Sequence, residues 1–227
     1  MTPANPSSIK GRIGKWLVDV SARRPSGWIG RRMYRTGPKA HEASFAAVLE
    51  WLGPLQGDRC LEIGCGPGVL LERALAADAK SAAGLDHSPD MLALTMERNR
   101  EAIAHDRLHL KLGDAANIPW PDKAFDAAFS ANMFFFVYDP EAVLAELFRV
   151  LVPGGRLVIA TTAGPLPEPS LRNPWLYPPM GSALNVHTDE EMEAMYRRAG
   201  FTDVIVQSKE ALQLARGFHA PEVPAAP

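Results

Sequence analysis

The sequence predicts an α/β fold in which a doubly wound, seven-stranded sheet is mostly parallel and ends in an antiparallel strand. Short apolar runs alternate with longer segments of helical periodicity, a pattern typical of parallel sheets. A glycine-rich turn directly follows the first of these runs. The 227 residues, 47% of them hydrophobic, are enough for one sizeable domain. We therefore expect a helical N-terminal arm (1–40), one ligand-binding domain (41–217) and a tail (218–227).

The N-terminal arm is strongly basic. Residues 1–40 contain nine Lys or Arg and one acid, although the whole chain has a net charge of only -2. Apolar residues between Ile9 and Val20 have helical spacing, but Gly11 and Gly14 weaken that helix. A second basic piece lies between Gly30 and Gly37. The arm suits either of two roles, contact with an anionic membrane surface or a lid over the domain.

Within the domain, apolar runs and start signals place the elements in order. Strands are expected at 59–63, 81–85, 108–112, 124–131, 156–162, 201–207 and 211–216. Helices are expected at about 45–52, 69–77, 89–103, 140–151 and 189–199. Ser88-Pro89 and Asp139-Pro140 are helix starts, and Thr188 with Glu191 forms a capping box. The Pro-rich segment 163–187 has no period and is predicted to be a substrate-side loop.

Several protein classes are disfavoured by composition. Two cysteines are too few for a secreted disulfide framework, no apolar run reaches 18 residues, and the N-terminus lacks the apolar core of a signal peptide. No His/Cys cluster has zinc spacing, so no metal is expected. The expected location is the cytoplasm. The sequence does not determine the oligomeric state.

The first strand leads into Glu62-Ile63-Gly64-Cys65-Gly66-Pro67-Gly68. Alternate glycines let the backbone approach a ligand closely, and the turn aims helix N–H groups at it. The carboxylate of Glu62 would repel a pyrophosphate but attract a ligand that carries an ammonium and a sulfonium, such as S-adenosylmethionine. Val69 occupies the place of the third glycine of the dinucleotide fingerprint, which disfavours a nicotinamide cofactor.

Further candidate ligand groups follow the next three strands. Asp86 can accept from both ribose hydroxyls, Asp114 from the adenine amino group, and the Ala115 N–H can serve a ring nitrogen. The backbone at 130–132 can meet the methionine part of the cofactor. The predicted cofactor-binding set is Glu62, Gly64, Cys65, Gly66, Gly68, Asp86, His87, Met91, Gly113, Asp114, Ala115, Ser130, Ala131 and Asn132.

The turn at 62–68 resembles the first motif of the class I S-adenosylmethionine-dependent methyltransferases, which have a Rossmann-like fold. Gly113-Asp114-Ala115, Phe125-Asp126, the run 151–157 and Ala199-Gly200-Phe201 follow in the order of the small-molecule methyltransferases related to ubiquinone and menaquinone biosynthesis enzymes. The resemblance covers about 45–216. It implies a methyltransferase that uses S-adenosylmethionine, with the roles given above for the matching positions.

The acceptor side departs from that family. Phe134-Phe135-Phe136 stands where paired histidines often occur, which suggests an apolar acceptor pocket. Candidate pocket residues are Tyr34, Phe135, Trp175 and Tyr177. Candidate general bases are His187, Tyr138 and His41, and none of them is assigned.

Absent motifs narrow the acceptor. No Asp/Asn-Pro-Pro-aromatic run follows the fourth strand, and Cys60 and Cys65 belong to the cofactor strand and turn, so nucleic acid is not expected. Asp126 is the one acid in the fourth strand, which argues against a catechol-type magnesium site. We expect a small or lipophilic acceptor. A membrane-associated lipid or quinone methyltransferase and a non-catalytic cofactor-binding partner protein remain alternatives.

Overall fold

The computed structural model describes residues 27–34, 41–163 and 185–221. Within them, seven strands form one sheet. The strands are β1 (Arg59–Ile63), β2 (Ser81–Asp86), β3 (Leu108–Leu112), β4 (Phe125–Ala131), β5 (Leu151–Thr162), β6 (Phe201–Lys209) and β7 (Leu212–His219). The helices are α1 (Gly27–Tyr34), α2 (Glu42–Leu52), α3 (Val69–Ala76), α4 (Pro89–Arg98), α5 (Arg100–Ala104), α6 (Pro140–Val150) and α7 (Asp189–Arg198). A 3-10 turn spans Phe134–Phe136.

The sheet has the strand order β3-β2-β1-β4-β5-β7-β6. The first five strands pair in parallel, whereas β7 is antiparallel to both β5 and β6. The predicted fold class and the antiparallel pairing of the last two strands are confirmed. The position of β7 between β5 and β6 was not predicted, because strand order depends on pairing between residues far apart in the chain.

Each face of the sheet carries its own hydrophobic core. Leu61 and Ile63 face the core formed with α6 and α7. Cys60 and Phe129 face the core formed with α2 and α3. Side chains alternate between the two faces of a strand, so a strand buried on both faces is apolar along its length. Burial on both faces explains the continuous apolar runs in the sequence.

The predicted helix starts are confirmed. Ser88 Oγ accepts from Met91 N (3.3 Å), and Asp139 Oδ1 accepts from Ala142 N (3.0 Å). Thr188 and Glu191 form the reciprocal capping box. These bonds satisfy N–H groups that have no partner within their own helix. They also fix where the chain turns after β2 and β4, beside the carboxyl ends of the parallel strands.

Two element boundaries differ from prediction. The helix expected over 89–103 is broken at Asn99. The side chain of Asn99 donates to the backbone carbonyls of Gly68 and Thr95. The helix expected to include Leu151 ends at Val150, because Leu151 already pairs with Phe125 in the sheet. The register then shifts before Ala127 pairs with Arg156, so the Pro-Gly-Gly turn is an irregularity inside β5.

No helix among the described residues is long and apolar enough to cross a membrane. Most of the predicted arm (1–26 and 35–40), residues 164–184 of the predicted loop, and the end of the tail lie outside the described residues. Trp175 and Tyr177 are therefore also outside them.

Candidate cofactor-binding site

A cavity opens at the carboxyl ends of the parallel strands, where ligands of such sheets bind. It is lined by Tyr34, His41, Phe45, Glu62, Gly64, Cys65, Gly66, Pro67, Val69, Leu70, Leu85, Asp86, His87, Met91, Gly113, Ala115, Ala131, Asn132, Met133 and Phe136. Most of the predicted cofactor-binding residues are therefore brought together. Gly68, Asp114 and Ser130 do not line the cavity.

All three glycines of the turn have positive φ, but their surroundings are of two kinds. A Cβ on Gly64 would overlap the side chain of Met133, and one on Gly68 would overlap Thr95 and Asn99. A Cβ on Gly66, whose φ is +51°, would meet nothing within 4 Å. Gly64 and Gly68 thus also allow close packing of these side chains against the turn. Gly64 and Gly66 both line the cavity, and the expectation that the three glycines serve ligand approach stays a prediction.

Side chains at the end of α4 and just after it hold the carbonyls of the turn. Thr95 Oγ1 donates to Gly66 O (2.6 Å), and Arg98 Nε donates to Pro67 O (3.0 Å). Asn99 Nδ2 donates to Gly68 O (3.2 Å). Sequence reasoning missed these three residues. Their signal was present, since polar residues at i, i+3 and i+4 share one helix face and two of them, Thr95 and Asn99, are buried.

Asp86 connects the end of β2 to the glycine turn. Its Oδ2 accepts from Gly66 N (2.9 Å) and its Oδ1 from Ser88 N (2.8 Å). Burial raises the pKa of Asp86, and the two backbone hydrogen bonds act in the opposite direction. The side chain is 8% exposed and lies on the cavity wall. Each carboxylate oxygen has a second lone pair, so Asp86 retains capacity to accept from a ligand.

Glu62 is the most deeply buried charge-bearing group of the cavity, with 2% exposure. Among the described residues, its Oε2 has no hydrogen-bond partner. Burial raises the pKa of Glu62 well above its ordinary value, and the nearby Asp86 raises it further. A buried carboxylate without a cation is costly, so this site favours a positively charged ligand. The ammonium and sulfonium of S-adenosylmethionine fit that requirement.

The ends of β3 and β4 form opposite ends of the cavity. Ala115 lines the β3 end, whereas Asp114 is exposed and its Oδ1 accepts from Ala116 N (2.9 Å). At the β4 end, Ser130 is fully buried behind the wall, and its Oγ has no partner among the described residues. Asn132 follows with a left-handed φ of +58°, and its Nδ2 donates to Ser44 Oγ (2.8 Å).

The three candidate bases occupy different environments. His41 lines the cavity. His187 is outside it, near the ring of Phe134 (6.5 Å between centroids), and its Nε2 is buried without a partner among the described residues. Tyr138 is 75% exposed and also outside the cavity. Of the three candidates, only His41 therefore lines the described cavity.

Of the predicted acceptor-pocket residues on the 3-10 turn, Phe135 does not line the cavity, whereas its neighbour Phe136 does. The two rings are tilted against each other with 4.4 Å between centroids, and Phe135 O accepts from Asn185 N (2.8 Å). The role of Phe135 in acceptor binding stays a prediction. Phe134 is fully buried in the core. Tyr34 lines the cavity as expected.

Helix α1 reaches the cavity because it packs on α4. Asp90 Oδ2 accepts from Gly27 N (2.7 Å), and Asp90 Oδ1 lies 3.8 Å from Arg31 Nη1. These contacts fix the beginning of α1 beside the first turn of α4. Tyr34, at the other end of α1, then reaches the cavity wall.

Asp126 and the two cysteines, which the sequence analysis discussed, have contacts that stabilise the fold. Asp126 accepts from both the backbone and the guanidinium of Arg59, with distances of 2.8 to 3.1 Å. Cys60 and Cys65 are buried free thiols. Burial raises the pKa of Cys60 to about 12, so this residue stays a thiol and packs as an apolar side chain.

Comparisons with known proteins agree with this geometry. A family described as a methyltransferase domain matches residues 61–159. A ubiquinone/menaquinone biosynthesis C-methyltransferase, UbiE of Dinoroseobacter shibae, is 32% identical over 181 residues, which cover 70% of this chain and 72% of that protein. The chain belongs to the class I S-adenosylmethionine-dependent methyltransferases related to UbiE. The predicted resemblance is thereby confirmed.

One further methyltransferase is similar to this chain in sequence, and one further protein is similar to it in structure. A malonyl-[acyl-carrier protein] O-methyltransferase of Serratia marcescens is 40% identical over 113 residues, covering 49% of this chain and 42% of that protein. The [4+2]-cyclase SpnF shares the fold, with a TM-score of 0.67 and 17% identity over 92% of this chain and 96% of that structure. The chain spans between 42% and 72% of the length of the first four curated relatives.

Proposed function

We propose that the chain binds S-adenosylmethionine and transfers its methyl group to a small or lipophilic acceptor by in-line displacement. The observation that carries this proposal is the buried Glu62, whose Oε2 has no partner among the described residues and lies beside the glycine turn. When bound, the cofactor supplies a methyl group already activated on a sulfonium. The protein must then bind, align and keep the site dry.

Each part of the cavity has a role in this proposal. Glu62 pairs with the cationic amino-acid part, Asp86 accepts from the ribose hydroxyls, and Gly66 lets the backbone approach. At the β3 end the Ala115 N–H serves the adenine. The family resemblance assigns the adenine amino group to Asp114, which is exposed next to Ala115 and does not itself line the cavity. The backbone at 131–132 meets the methionine part at the β4 end.

The β4 end of the cavity is mainly apolar. Phe45, Met133 and Phe136 line it. Such walls exclude water and suit a lipophilic acceptor, and good alignment of reactants is worth roughly 7–11 kcal/mol of barrier. Relatives whose names specify a quinone-pathway product or a malonyl group on a carrier protein support a small acceptor, although the acceptor of this chain is a proposal.

We propose further that α1 acts as a lid. Its contacts with Asp90 and the position of Tyr34 on the cavity wall support this role. The alternative is that the basic arm contacts an anionic membrane and that the acceptor is a lipid or quinone. Deletion of residues 1–34, which removes α1 together with most of the basic arm, separates them. A lid predicts weaker cofactor binding without any membrane, whereas a membrane contact predicts normal binding and loss of vesicle co-sedimentation.

Calorimetry and turnover test the main proposal. Wild-type protein should bind S-adenosylmethionine and S-adenosylhomocysteine and should not bind NAD. Asp86→Ala should weaken binding by about 1–3 kcal/mol, because the ligand hydroxyls and Gly66 N lose an acceptor. Turnover is measured as S-adenosylhomocysteine formation with a panel of phenol, hydroquinone, alcohol, thiol and amine acceptors. NAD binding in place of S-adenosylhomocysteine would refute the cofactor assignment.

A non-catalytic cofactor-binding protein is the second candidate function. The fold alone does not decide between the two, since a structure named as a cyclase shares it. Binding of S-adenosylhomocysteine without turnover of any acceptor in the panel would favour this second candidate.

A further inference from the structure

The following inference rests on the proposed function, which gives the cavity one end where the methyl group is transferred, called here the reacting end. Asp86 and Ala115, at β2 and β3, serve the nucleoside part of the cofactor in that proposal. Glu62, at β1, serves the amino-acid part. In the strand order β3-β2-β1-β4, the methionine part and its methyl group then lie towards β4. Any group that acts on the acceptor must therefore be near Asn132.

His41 is connected to that end of the cavity by two hydrogen bonds. Asn132 Nδ2 donates to Ser44 Oγ (2.8 Å), and Ser44 Oγ donates to His41 O (2.9 Å). Ser44 is 5% exposed, so this link is shielded from water. Asn132 has a left-handed φ of +58°, a backbone conformation that persists where surrounding contacts hold it. The beginning of α2 is thus fixed against the end of β4.

Within the described part of the chain, the imidazole of His41 does not stabilise the fold through hydrogen bonds. It makes no side-chain cap on α2, and among the described residues no hydrogen bond of either ring nitrogen is found. It packs edge-on against Phe45, with 6.0 Å between ring centroids. A half-buried imidazole with unoccupied nitrogens on a cavity wall is able to accept a proton from a ligand.

Burial leaves His41 neutral near pH 7. Burial lowers the pKa of His41 below 6.5. Glu42, its neighbour on α2, is paired with Arg73 (2.8 Å). The other ionisable groups that share the cavity are Glu62, Asp86, His87, Cys65 and Tyr34. A neutral imidazole is the form that a general base requires.

We propose that His41 is the general base of the methyl transfer and accepts the proton of an acceptor hydroxyl or acidic carbon. An electron pair of the acceptor atom forms the bond to the methyl carbon. The methyl carbon–sulfur bond breaks and its electron pair goes to the sulfonium sulfur, which becomes the neutral thioether. The proton of the acceptor moves to a ring nitrogen of His41, and the resulting imidazolium returns it to water.

The test compares acceptors that must lose a proton with one that is already ionised. His41→Asn and His41→Gln are assayed with hydroquinone, phenol and aliphatic alcohol acceptors, and with thiophenol as the thiolate. Either variant should lower kcat about 100-fold or more with the hydroxyl acceptors. Thiolate methylation and S-adenosylhomocysteine affinity should change less than about twofold, within the effect of small surface changes. His105→Asn, at an exposed residue directly after α5, is the matched control.

The pH dependence gives a second readout. In the wild type, kcat for a hydroxyl acceptor should fall with decreasing pH along a limb below pH 6.5, because imidazolium cannot accept a proton. That limb should be missing in His41→Asn. Unchanged kcat in both variants, equal loss with the thiolate, or turnover confined to ionised acceptors would overturn the proposal. A parallel loss of S-adenosylhomocysteine affinity would reassign His41 to cofactor binding.

Failure of this proposal is distinguishable from failure of the proposed function. If the wild type methylates an acceptor and the His41 variants retain that turnover, only the role of His41 is refuted. A wild type that does not bind S-adenosylhomocysteine, or binds it and methylates no acceptor in the panel, refutes the methyltransferase assignment and the role of His41 together.

Discussion

Glu62 combines a buried position in the sheet with a ligand-facing carboxylate. In the register of the sheet it lies opposite Gly84 on one side and Phe129 on the other, in the middle of the most buried strands. Neither neighbour has a charged side chain, and the hydrogen-bond partner of the carboxylate is a neutral backbone group, that of Leu71. Glu62 therefore lowers the stability of the ligand-free protein and becomes favourable once a cation binds. Functional sites commonly lower the stability of the fold in this way.

We predict opposite effects of Glu62→Gln on stability and binding. The variant should unfold at higher denaturant concentration than the wild type, because an ionisable buried group is replaced by a neutral one. It should also bind S-adenosylmethionine more weakly by about 1.5–3 kcal/mol, since a hydrogen bond to a charged group is lost. Calorimetry and urea unfolding measure the two effects.

The pH dependence of this stability difference follows from the raised pKa of Glu62. In the unfolded chain the carboxyl ionises near pH 4.5, whereas burial keeps it protonated to higher pH in the folded protein. The folded state then binds more protons, so wild-type stability falls as pH rises above about 4.5. The advantage of Glu62→Gln should grow as the pH is raised from about 4.5 towards neutral. An advantage that shrinks over this range would contradict the assignment, and exposed Glu50→Gln is the control.

Gly66 offers a second test at the residue scale, with Gly57 as a matched control. Both glycines have positive φ, +51° and +81°, and a Cβ on either would meet nothing within 4 Å. Valine in this conformation costs stability at either site. Gly66→Val should abolish measurable S-adenosylhomocysteine binding while Gly57→Val binds normally, as judged by calorimetry on folded protein. Equal affinities would show that Gly66 does not face the ligand.

At the scale of elements, α4 coordinates three parts of the site. Asp90 in its first turn contacts α1, Met91 lines the cavity, and Thr95 and Arg98 bond to carbonyls of the glycine turn. The helix then breaks at Asn99, which bonds to Gly68. One helix thus links the proposed lid, the cavity wall and the glycine turn.

We predict that Asp90→Ala loosens the proposed lid. Its two contacts with α1 are partly exposed, and exposed pairs are worth about 0–1 kcal/mol, so S-adenosylhomocysteine affinity should fall by up to about fivefold. The change should appear mainly as faster dissociation in stopped-flow measurements. Asp90→Asn, which keeps an acceptor for Gly27 N, should restore part of the loss. Glu101→Ala, an acid in the first turn of α5, controls for helix-end charge. Unchanged dissociation rates in Asp90→Ala would exclude the lid contact.

At the scale of the molecule, the proposed ligand would bridge strands that belong to both cores. The cavity is lined by Leu85, whose core includes α6 and α7, and by Leu70 and Phe45, whose core includes α2 and α3. Ligand binding in this position is expected to stabilise the sheet as a whole and not one face of it.

We predict a large thermal shift with the product of methyl transfer. S-adenosylhomocysteine at about 100 times its Kd should add about 2.7 kcal/mol of stability. For a chain of 227 residues this corresponds to a Tm increase of roughly 5–11 °C. NAD at the same concentration should give none, and Gly66→Val should abolish the shift. A shift with NAD alone would overturn the assignment of the cavity.

Much of the fold and part of the site were predictable because their causes are local in the chain. Apolar runs buried on both faces identified the strands, and the side chains of Ser88, Asp139 and Thr188 marked helix starts through bonds to residues three positions away. Glu62 and Asp86 were predictable as candidate ligand groups because they lie at or next to the carboxyl ends of neighbouring parallel strands. Their assignment to S-adenosylmethionine stays a prediction that binding measurements must test.

The sequence by itself determined the α/β class, the strands, most element boundaries and the position of the glycine turn, because backbone preference and burial pattern act over a few residues. Tertiary structure alone decided the insertion of β7, the break at Asn99 and the orientation of Phe136 towards the cavity. It also decided the position of His41 on the cavity wall close to the end of β4, through a bond between Asn132 and Ser44, which are 88 residues apart. Side-chain direction depends on such distant contacts, and no local pattern in the chain specifies them.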